Sequence, residues 1–160
     1  AYSQYMNQGI PAQAYIDRYF ARYPGVDEFM LATLKECRSK GYVSTISGRR
    51  QPVSGVRDGI ALRRNRQRNL PERIAVNTVI QGRAADIIKQ AMLNVYRRMN
   101  GEALNAKMLL QIHDELVFEC PPHEVESLTK LVREEMAAAA SLAVPLKVDI
   151  KTGPTWADCE

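Results

Sequence analysis

Apolar side chains recur three to four positions apart over much of the chain, which is the pattern of amphipathic helices. Four segments show it: residues 11–23, 26–39, 71–99 and 121–140. Proline stands in the first turn of the first, third and fourth of these, where its missing N–H costs least. Pro24-Gly25 is expected to end the first helix, and Gly41 to cap the second.

Strand patterns are shorter and lie between these helices. Residues 42–46 and 146–151 alternate between apolar and polar side chains, as half-buried strands do. Residues 108–112 and 116–118 are two apolar runs separated by His113, Asp114 and Glu115, which predicts a hairpin with Asp114 at or near its tip. Trp156, the only tryptophan, is expected to pack at the end of the sheet. Helices with an antiparallel hairpin indicate the α+β class.

The predicted hairpin turn concentrates groups that can bind a metal ion. Mg²⁺ takes oxygen ligands, usually one or two carboxylates with water and substrate phosphate, and Asp114 and Glu115 supply two adjacent carboxylates. Asp and His are also ordinary turn residues. These three residues alone therefore fit both a metal site and a plain hairpin tip.

The longest predicted helix carries Arg73, Asn77 and Gln81 four residues apart, so their side chains share one stripe. Guanidinium and amide donors can reach the N3 and O2 acceptors that every base pair presents in the minor groove. Such a stripe can equally be a solvent-facing edge.

Positive charge is concentrated in one segment of the chain. The net charge is +4, yet residues 49–73 alone carry +6, and the rest of the chain carries −2. Eight arginines supply this charge: residues 49, 50, 57, 63, 64, 66, 68 and 73. Because the guanidinium fork grips oxyanions with two hydrogen bonds, a polyanion is the expected partner. A solvated charge run is the alternative.

Length and cysteine content narrow the class of protein. A chain of 160 residues can bury about two-thirds of its unfolded surface. Cys37, Cys120 and Cys159 are widely spaced and odd in number, which favours neither a disulfide framework nor a structural zinc site and fits a reducing cytoplasm. No apolar run is long enough to span a membrane, so no membrane partner is expected. The first residue, Ala1, suggests a piece of something longer.

Four ordered motifs together resemble the family A DNA polymerases, the bacterial DNA polymerase I group. They are Tyr19-Phe20-Ala21-Arg22-Tyr23-Pro24-Gly25-Val26, Gly48-Arg49-Arg50, the helix segment Glu72-Arg73-Ile74-Ala75-Val76-Asn77 with Ile80-Gln81-Gly82-Arg83-Ala84-Ala85-Asp86-Ile87-Ile88-Lys89, and Gln111-Ile112-His113-Asp114-Glu115-Leu116-Val117-Phe118-Glu119. The match covers nearly the whole chain. Arg83 departs from the family's small hydroxyl residue, and residues 51–54 depart from the family's continuation after the paired arginines.

The resemblance implies an α+β fold in which an antiparallel palm sheet with a carboxylate-bearing hairpin is packed by long helices, beside a mainly helical remnant of the fingers. Residues 1–70 would be the C-terminal part of the fingers subdomain, and residues 71–160 the C-terminal part of the palm subdomain. The implied activity is that of a DNA-directed DNA polymerase, a nucleotidyltransferase of DNA replication or repair, in the cytoplasm and associated with the nucleoid. The implied partners are primer-template DNA, deoxynucleoside triphosphate (dNTP) and the remainder of the polymerase chain.

The resemblance also implies residue roles. Asp114 would hold catalytic Mg²⁺, and Glu115 would support it. The remaining positions would contact DNA: Arg49, Arg50, Arg73, Asn77, Gln81 and His113. In the implied reaction a primer 3′ hydroxyl attacks the α-phosphate of a dNTP at a two-metal site. The second aspartate ligand precedes these residues in the family, so the fragment is expected to be inactive alone.

Three hypotheses follow. The first is a segment of a DNA polymerase, catalytic only within a longer chain. The second is a duplex-DNA-binding module without catalysis. The third is an unrelated α+β domain whose hairpin carboxylates are structural.

Overall fold

A computed structural model describes residues 12–58 and 68–159, and within them it has the predicted α+β character. In these two described ranges, two antiparallel hairpins lie among four α-helices. In chain order the elements are α1 (Ala12–Arg22), α2 (Pro24–Lys40), β1 (Tyr42–Ser44), β2 (Arg50–Pro52), α3 (Leu70–Gly101), β3 (Lys107–Ile112), β4 (Glu115–Glu119) and α4 (Val125–Ala137). Short 3₁₀ helices, Pro122–Glu124 and Trp156–Cys159, complete the described part.

The chain divides into two compact units, Ala1–Ile80 and Gln81–Glu160. The division falls inside α3, which continues through the buried Gly82 without a break. The boundary at residue 70 between fingers and palm remains a prediction.

In the first unit, α2, the β1–β2 hairpin and the first turns of α3 enclose one core. Its buried residues are Leu34, Cys37, Val43, Val53, Ala75, Val76 and Val79. Gly41 caps α2 as predicted, because its φ of 74° lets its N–H reach the carbonyl of Cys37 at 2.7 Å. Helix α1 ends at Arg22, just before Pro24-Gly25 as predicted, but α2 begins at Pro24 rather than at residue 26, so Tyr23 alone separates the two helices. Proline is well suited to that first position.

In the second unit, the C-terminal half of α3 and α4 pack beneath the β3–β4 hairpin. The core residues are Val95, Met99, Ala106, Leu128, Leu131 and Val132. Met108 of β3 and Phe118 of β4 pack against this core from the open end of the hairpin. The hairpin is therefore anchored away from its turn.

Residues 146–151 do not form the predicted strand. Their burial does alternate, and Ile150 packs against the core while Asp149 and Lys151 are exposed. Within the described part no strand pairs with them, and alternation reports burial rather than hydrogen bonding. Trp156 also departs from expectation, since it lies in a 3₁₀ turn with 51% of its surface exposed.

None of the helices in residues 12–58 and 68–159 has both the length and the apolar character that crossing a membrane requires.

Candidate functional site

The β3–β4 hairpin closes with a two-residue turn made of His113 and Asp114. Ile112 pairs with Glu115, so the two turn residues lie outside the ladder. His113 has a φ of 51°, in the left-handed region that favours glycine. A positive φ at the first turn residue is characteristic of the tight turns that match strand twist. The Gln111 side-chain amide donates a hydrogen bond to the His113 carbonyl and braces this conformation.

Strand β3 is also irregular, because the register shifts between Met108 and Leu110. Leu109 is the extra residue, and it and Leu110 are both about half exposed. A bulge bends the strand and increases its twist, and such bulges are common next to functional sites. The hairpin thus has two local departures from regular geometry, one in the strand and one in the turn.

Asp114 and Glu115 present their carboxylates to solvent. Neither side chain takes part in a hydrogen bond or ion pair with any described residue. Residues 12–58 and 68–159 also contain no cluster of three or more potential metal-ligating side chains. The turn therefore fits the one or two carboxylates that Mg²⁺ takes from protein, with the other ligands coming from elsewhere.

Arg73, Asn77 and Gln81 all lie on α3, and all three are exposed. The rise of about 1.5 Å per residue separates successive members by about 6 Å along the helix. Ala75, Val76 and Val79, which lie between them in sequence, are buried. This segment of α3 therefore has one packed face and one donor-bearing face.

The first turn of α3 is closed by a reciprocal pair that the sequence interpretation missed. The Glu72 N–H donates to Asn69 Oδ1 at 3.0 Å, and the Asn69 N–H donates to Glu72 Oε2 at 3.0 Å. This is a capping box, and the spacing Asn-x-x-Glu before an apolar run was its available signal.

The Glu72 carboxylate also binds Arg57. Arg57 Nε donates to Oε1 and Nη2 to Oε2, both at 2.7 Å. These hydrogen bonds from Arg57 lower the pKa of Glu72 from 4.5 to about 2. Glu72 is therefore a charged group held inside the protein by a two-pronged partner.

Arg49 and Arg50 belong to a second hairpin. Ser44 pairs with Arg50, and the Thr45 N–H donates to the Arg49 carbonyl at 2.9 Å. Both arginines are exposed, and the Arg50 guanidinium lies 4.8 Å from the centre of the Tyr42 ring. Strand β2 was missed because it has only three residues and ends in proline, so no alternation could develop.

The structure sorts the arginines of the basic segment. Arg57 forms an ion pair with Glu72. The Arg68 side chain is only 8% exposed, and its Nη2 lies 3.8 Å from Asp27 Oδ1. Arg49, Arg50 and Arg73 are exposed, whereas residues 63, 64 and 66 lie outside the described part. In the described ranges, a polyanion would therefore meet Arg49, Arg50 and Arg73 first.

Comparison with known proteins identifies the family. Residues 6–158 match the family model described as DNA polymerase family A. The chain belongs to DNA polymerase family A. The hypothesis of an unrelated α+β domain is therefore wrong.

Curated relatives in this family are DNA polymerase I proteins. The chain is 47% identical to that of Geobacillus stearothermophilus over 93% of this chain and 17% of the relative. It is 45% identical to that of Bacillus subtilis over 93% of this chain and 16% of the relative. The chain thus spans about a sixth of the length of these family A relatives.

A solved structure of a polymerase domain has a similar fold. It is described as the POL domain of Pol1 from M. smegmatis in complex with DNA primer-template and dNTP. It is 40% identical in sequence, with a TM-score of 0.82, over 92% of this chain and 25% of that one. In this family A chain the predicted site residues fall into three local groups: the β3–β4 turn, the exposed face of α3 and the β1–β2 hairpin.

Proposed function

We propose that this chain works as part of a DNA-directed DNA polymerase that adds deoxynucleotides from dNTPs to a primer 3′ end. Membership of DNA polymerase family A supports this, as does the related POL domain described with primer-template DNA and dNTP. The proposed partners are primer-template DNA, dNTP and the remainder of a longer polymerase chain. Its DNA substrate fits a cytoplasmic enzyme at the nucleoid.

The single observation that carries the proposal is the turn at His113 and Asp114. A non-glycine residue at positive φ stores strain, and such strain concentrates at functional sites. Here it accompanies a carboxylate that the described residues leave unpaired. The two features together present an accessible carboxylate from a conformationally restricted turn.

In this proposal Asp114 holds Mg²⁺ beside the primer end, and Glu115 supports the same site. The bound metal would stabilise charge on the attacking and leaving oxygens of the phosphoryl transfer. A second aspartate from outside these residues would complete the two-metal site. The chain alone is therefore expected to be inactive.

The DNA contacts are assigned to the exposed donors. Arg73, Asn77 and Gln81 on α3, with His113 at the turn, would meet the minor groove of the primer-template duplex. Minor-groove acceptors are common to all base pairs, so these contacts would test duplex geometry rather than sequence. Arg49 and Arg50 would meet phosphates, for which exposed guanidinium groups are well suited.

The first test is the mass of the native gene product, detected in its source cells with an antibody against this chain. We expect a product several times larger than 18.0 kDa. A native product of 18.0 kDa would overturn catalysis by a single longer chain and favour the DNA-binding module.

The second test is primer extension by the native full-length product carrying Asp114→Asn. We expect a loss of at least about 100-fold in rate with duplex affinity largely kept, since the lost group acts on the reaction rather than on DNA binding. Asp149→Asn is the matched control, because Asp149 is an exposed carboxylate whose Oδ1 lies 2.9 Å from Nζ of Lys147, two residues earlier. Equal rates for the two variants would contradict the assignment of Asp114.

A further inference from the structure

Glu72 makes more contacts than a helix cap requires. Its carboxylate accepts hydrogen bonds from the Arg57 guanidinium, from the Arg57 N–H at 3.3 Å and from the Asn69 N–H at 3.0 Å. The residue is 0% exposed. One buried carboxylate therefore joins the segment that follows β2 to the start of α3.

Gly55, in the segment that follows β2, also contacts the start of α3; we call this region of contact the β2–α3 junction. Asn69 Nδ2 donates to the Gly55 carbonyl at 3.1 Å, and Gly55 has a φ of 83°. A Cβ at Gly55 would lie 3.3 Å from Pro71 Cγ, so the backbone passes close against the first turn of α3. Both polar atoms of the Asn69 side chain are therefore held: Nδ2 by the Gly55 carbonyl and Oδ1 by the Glu72 N–H.

The backbone position of Arg73 depends directly on the β2–α3 junction, because Asn69 belongs to it. Its N–H donates to the Asn69 carbonyl at 3.0 Å, which is the first backbone hydrogen bond of the long helix. Helix ends fray when their free N–H groups lack partners. The exposed Arg73 side chain therefore starts from a backbone that the Glu72 contacts hold in place.

We propose that Glu72 is a positioning residue for DNA binding, which through Arg57 and Asn69 orders the first turn of α3 and so presents Arg73 to the duplex. The proposal rests on the proposed function, in which Arg73 contacts DNA. Glu72 itself does not touch DNA, because its side chain is fully buried.

The direction in which Glu72→Gln changes duplex affinity distinguishes a positioning role from a long-range electrostatic one. Replacing Glu72 by Gln removes a negative charge near exposed arginines, so the long-range field alone would strengthen binding to a polyanion. Loss of the ordered first turn would weaken binding. A weaker complex from a more positive protein is therefore the signature of positioning.

The experiment measures binding of the native full-length product to a fluorescently labelled primer-template duplex by anisotropy, without dNTP. We expect Glu72→Gln to weaken binding by about fivefold to tenfold, comparable to losing one arginine contact. Glu28→Gln is the matched control, because it makes the same charge change at an exposed position in the same unit. It is expected to leave affinity unchanged or slightly raised.

A second variant keeps the net charge constant and covers the case in which Glu72→Gln does not fold. Arg57→Lys retains the charge but cannot form the two-pronged contact with Glu72. We expect it to weaken duplex binding by about threefold to fivefold. Circular dichroism would verify that each variant is folded at the temperature of the binding measurement.

Combination with Arg73→Gln decides whether Glu72 acts through Arg73. In the Arg73→Gln background, Glu72→Gln should change affinity by less than about twofold, since the group being positioned is gone. An undiminished effect in that background, or Glu72→Gln binding as tightly as Glu28→Gln, would overturn the positioning proposal alone. If Arg73→Gln by itself left affinity unchanged, the proposed DNA contact of Arg73 would fail as well.

Discussion

Glu124 holds Asn105 through three hydrogen bonds immediately before strand β3. The Asn105 N–H donates to both carboxylate oxygens, at 3.1 and 2.9 Å, and Asn105 Nδ2 donates to Oε1 at 2.8 Å. The Ala106 N–H adds a further bond at 3.1 Å. These hydrogen bonds hold the pKa of Glu124 below its usual range, and the bond from the Asn105 side-chain amide has the largest effect. The start of the carboxylate hairpin is thus tied to the turn that precedes α4.

Glu124→Ala should therefore destabilise the second unit. The substitution leaves the buried Ala106 N–H without its acceptor and removes the carboxylate that holds Asn105, and an unsatisfied buried donor costs more than the loss of a neutral contact. We expect the thermal unfolding midpoint to fall by several degrees. The matched control is Glu126→Ala, which removes an exposed glutamate two residues further along. Equal midpoints for both variants would contradict the role of Glu124.

The stability contributed by Glu72 should depend on pH in a defined window. Its pKa is about 2 in the folded protein and 4.5 ordinarily, so the unfolded chain binds the proton more readily. The contribution is complete above pH 4.5 and is lost as pH falls towards about 2.

Urea unfolding of the wild-type chain and of Glu72→Gln checks this dependence. The difference between their free energies of unfolding should be constant from pH 7 to about pH 5 and should shrink below that. A difference that stays constant down to about pH 3 would show that the carboxylate charge is not what Glu72 contributes.

The arginines should differ in their effect on the salt dependence of duplex binding. Each phosphate contact contributes about one unit to the slope of log affinity against log salt. Arg50→Gln should therefore reduce the slope by about one. Arg133→Gln, at an exposed position on α4 outside the basic segment, should leave the slope nearly unchanged. Equal slopes for Arg50→Gln and the wild-type chain would contradict a phosphate contact at Arg50.

The helices and the β3–β4 hairpin were predictable from the sequence because their signals are local. The apolar period of α3, the glycine that caps α2 and the two apolar runs around His113 all lie within a few residues of the element they specify. Such signals do not depend on what the rest of the chain does.

The Asn69–Glu72 capping box was missed although its signal is local, but other missed features depend on partners distant in sequence. From the sequence, a charged residue such as Glu72 is expected to be exposed. It is buried because Arg57, fifteen positions earlier in the chain, forms hydrogen bonds to it in the folded protein. Residues 146–151 have the alternation of a strand, but a strand also requires a hydrogen-bonded neighbour. Residue types and spacing singled out most of the site residues and the family resemblance supplied their roles, whereas the positive φ of His113 became visible only in the structure.

That φ leads to a prediction in which stability and function separate. Glycine adopts a φ of 51° without the steric cost that a side chain incurs, so His113→Gly should stabilise the folded chain by up to about 1 kcal/mol. If His113 contacts DNA as proposed, the same substitution should weaken duplex binding. Ala103→Gly is the matched control, because Ala103 has the same φ of 51° but lies in the loop after α3. It should gain similar stability with unchanged binding, as measured by urea unfolding and anisotropy. Unchanged binding by His113→Gly as well would remove His113 from the DNA contacts and leave the strained turn serving only to present Asp114.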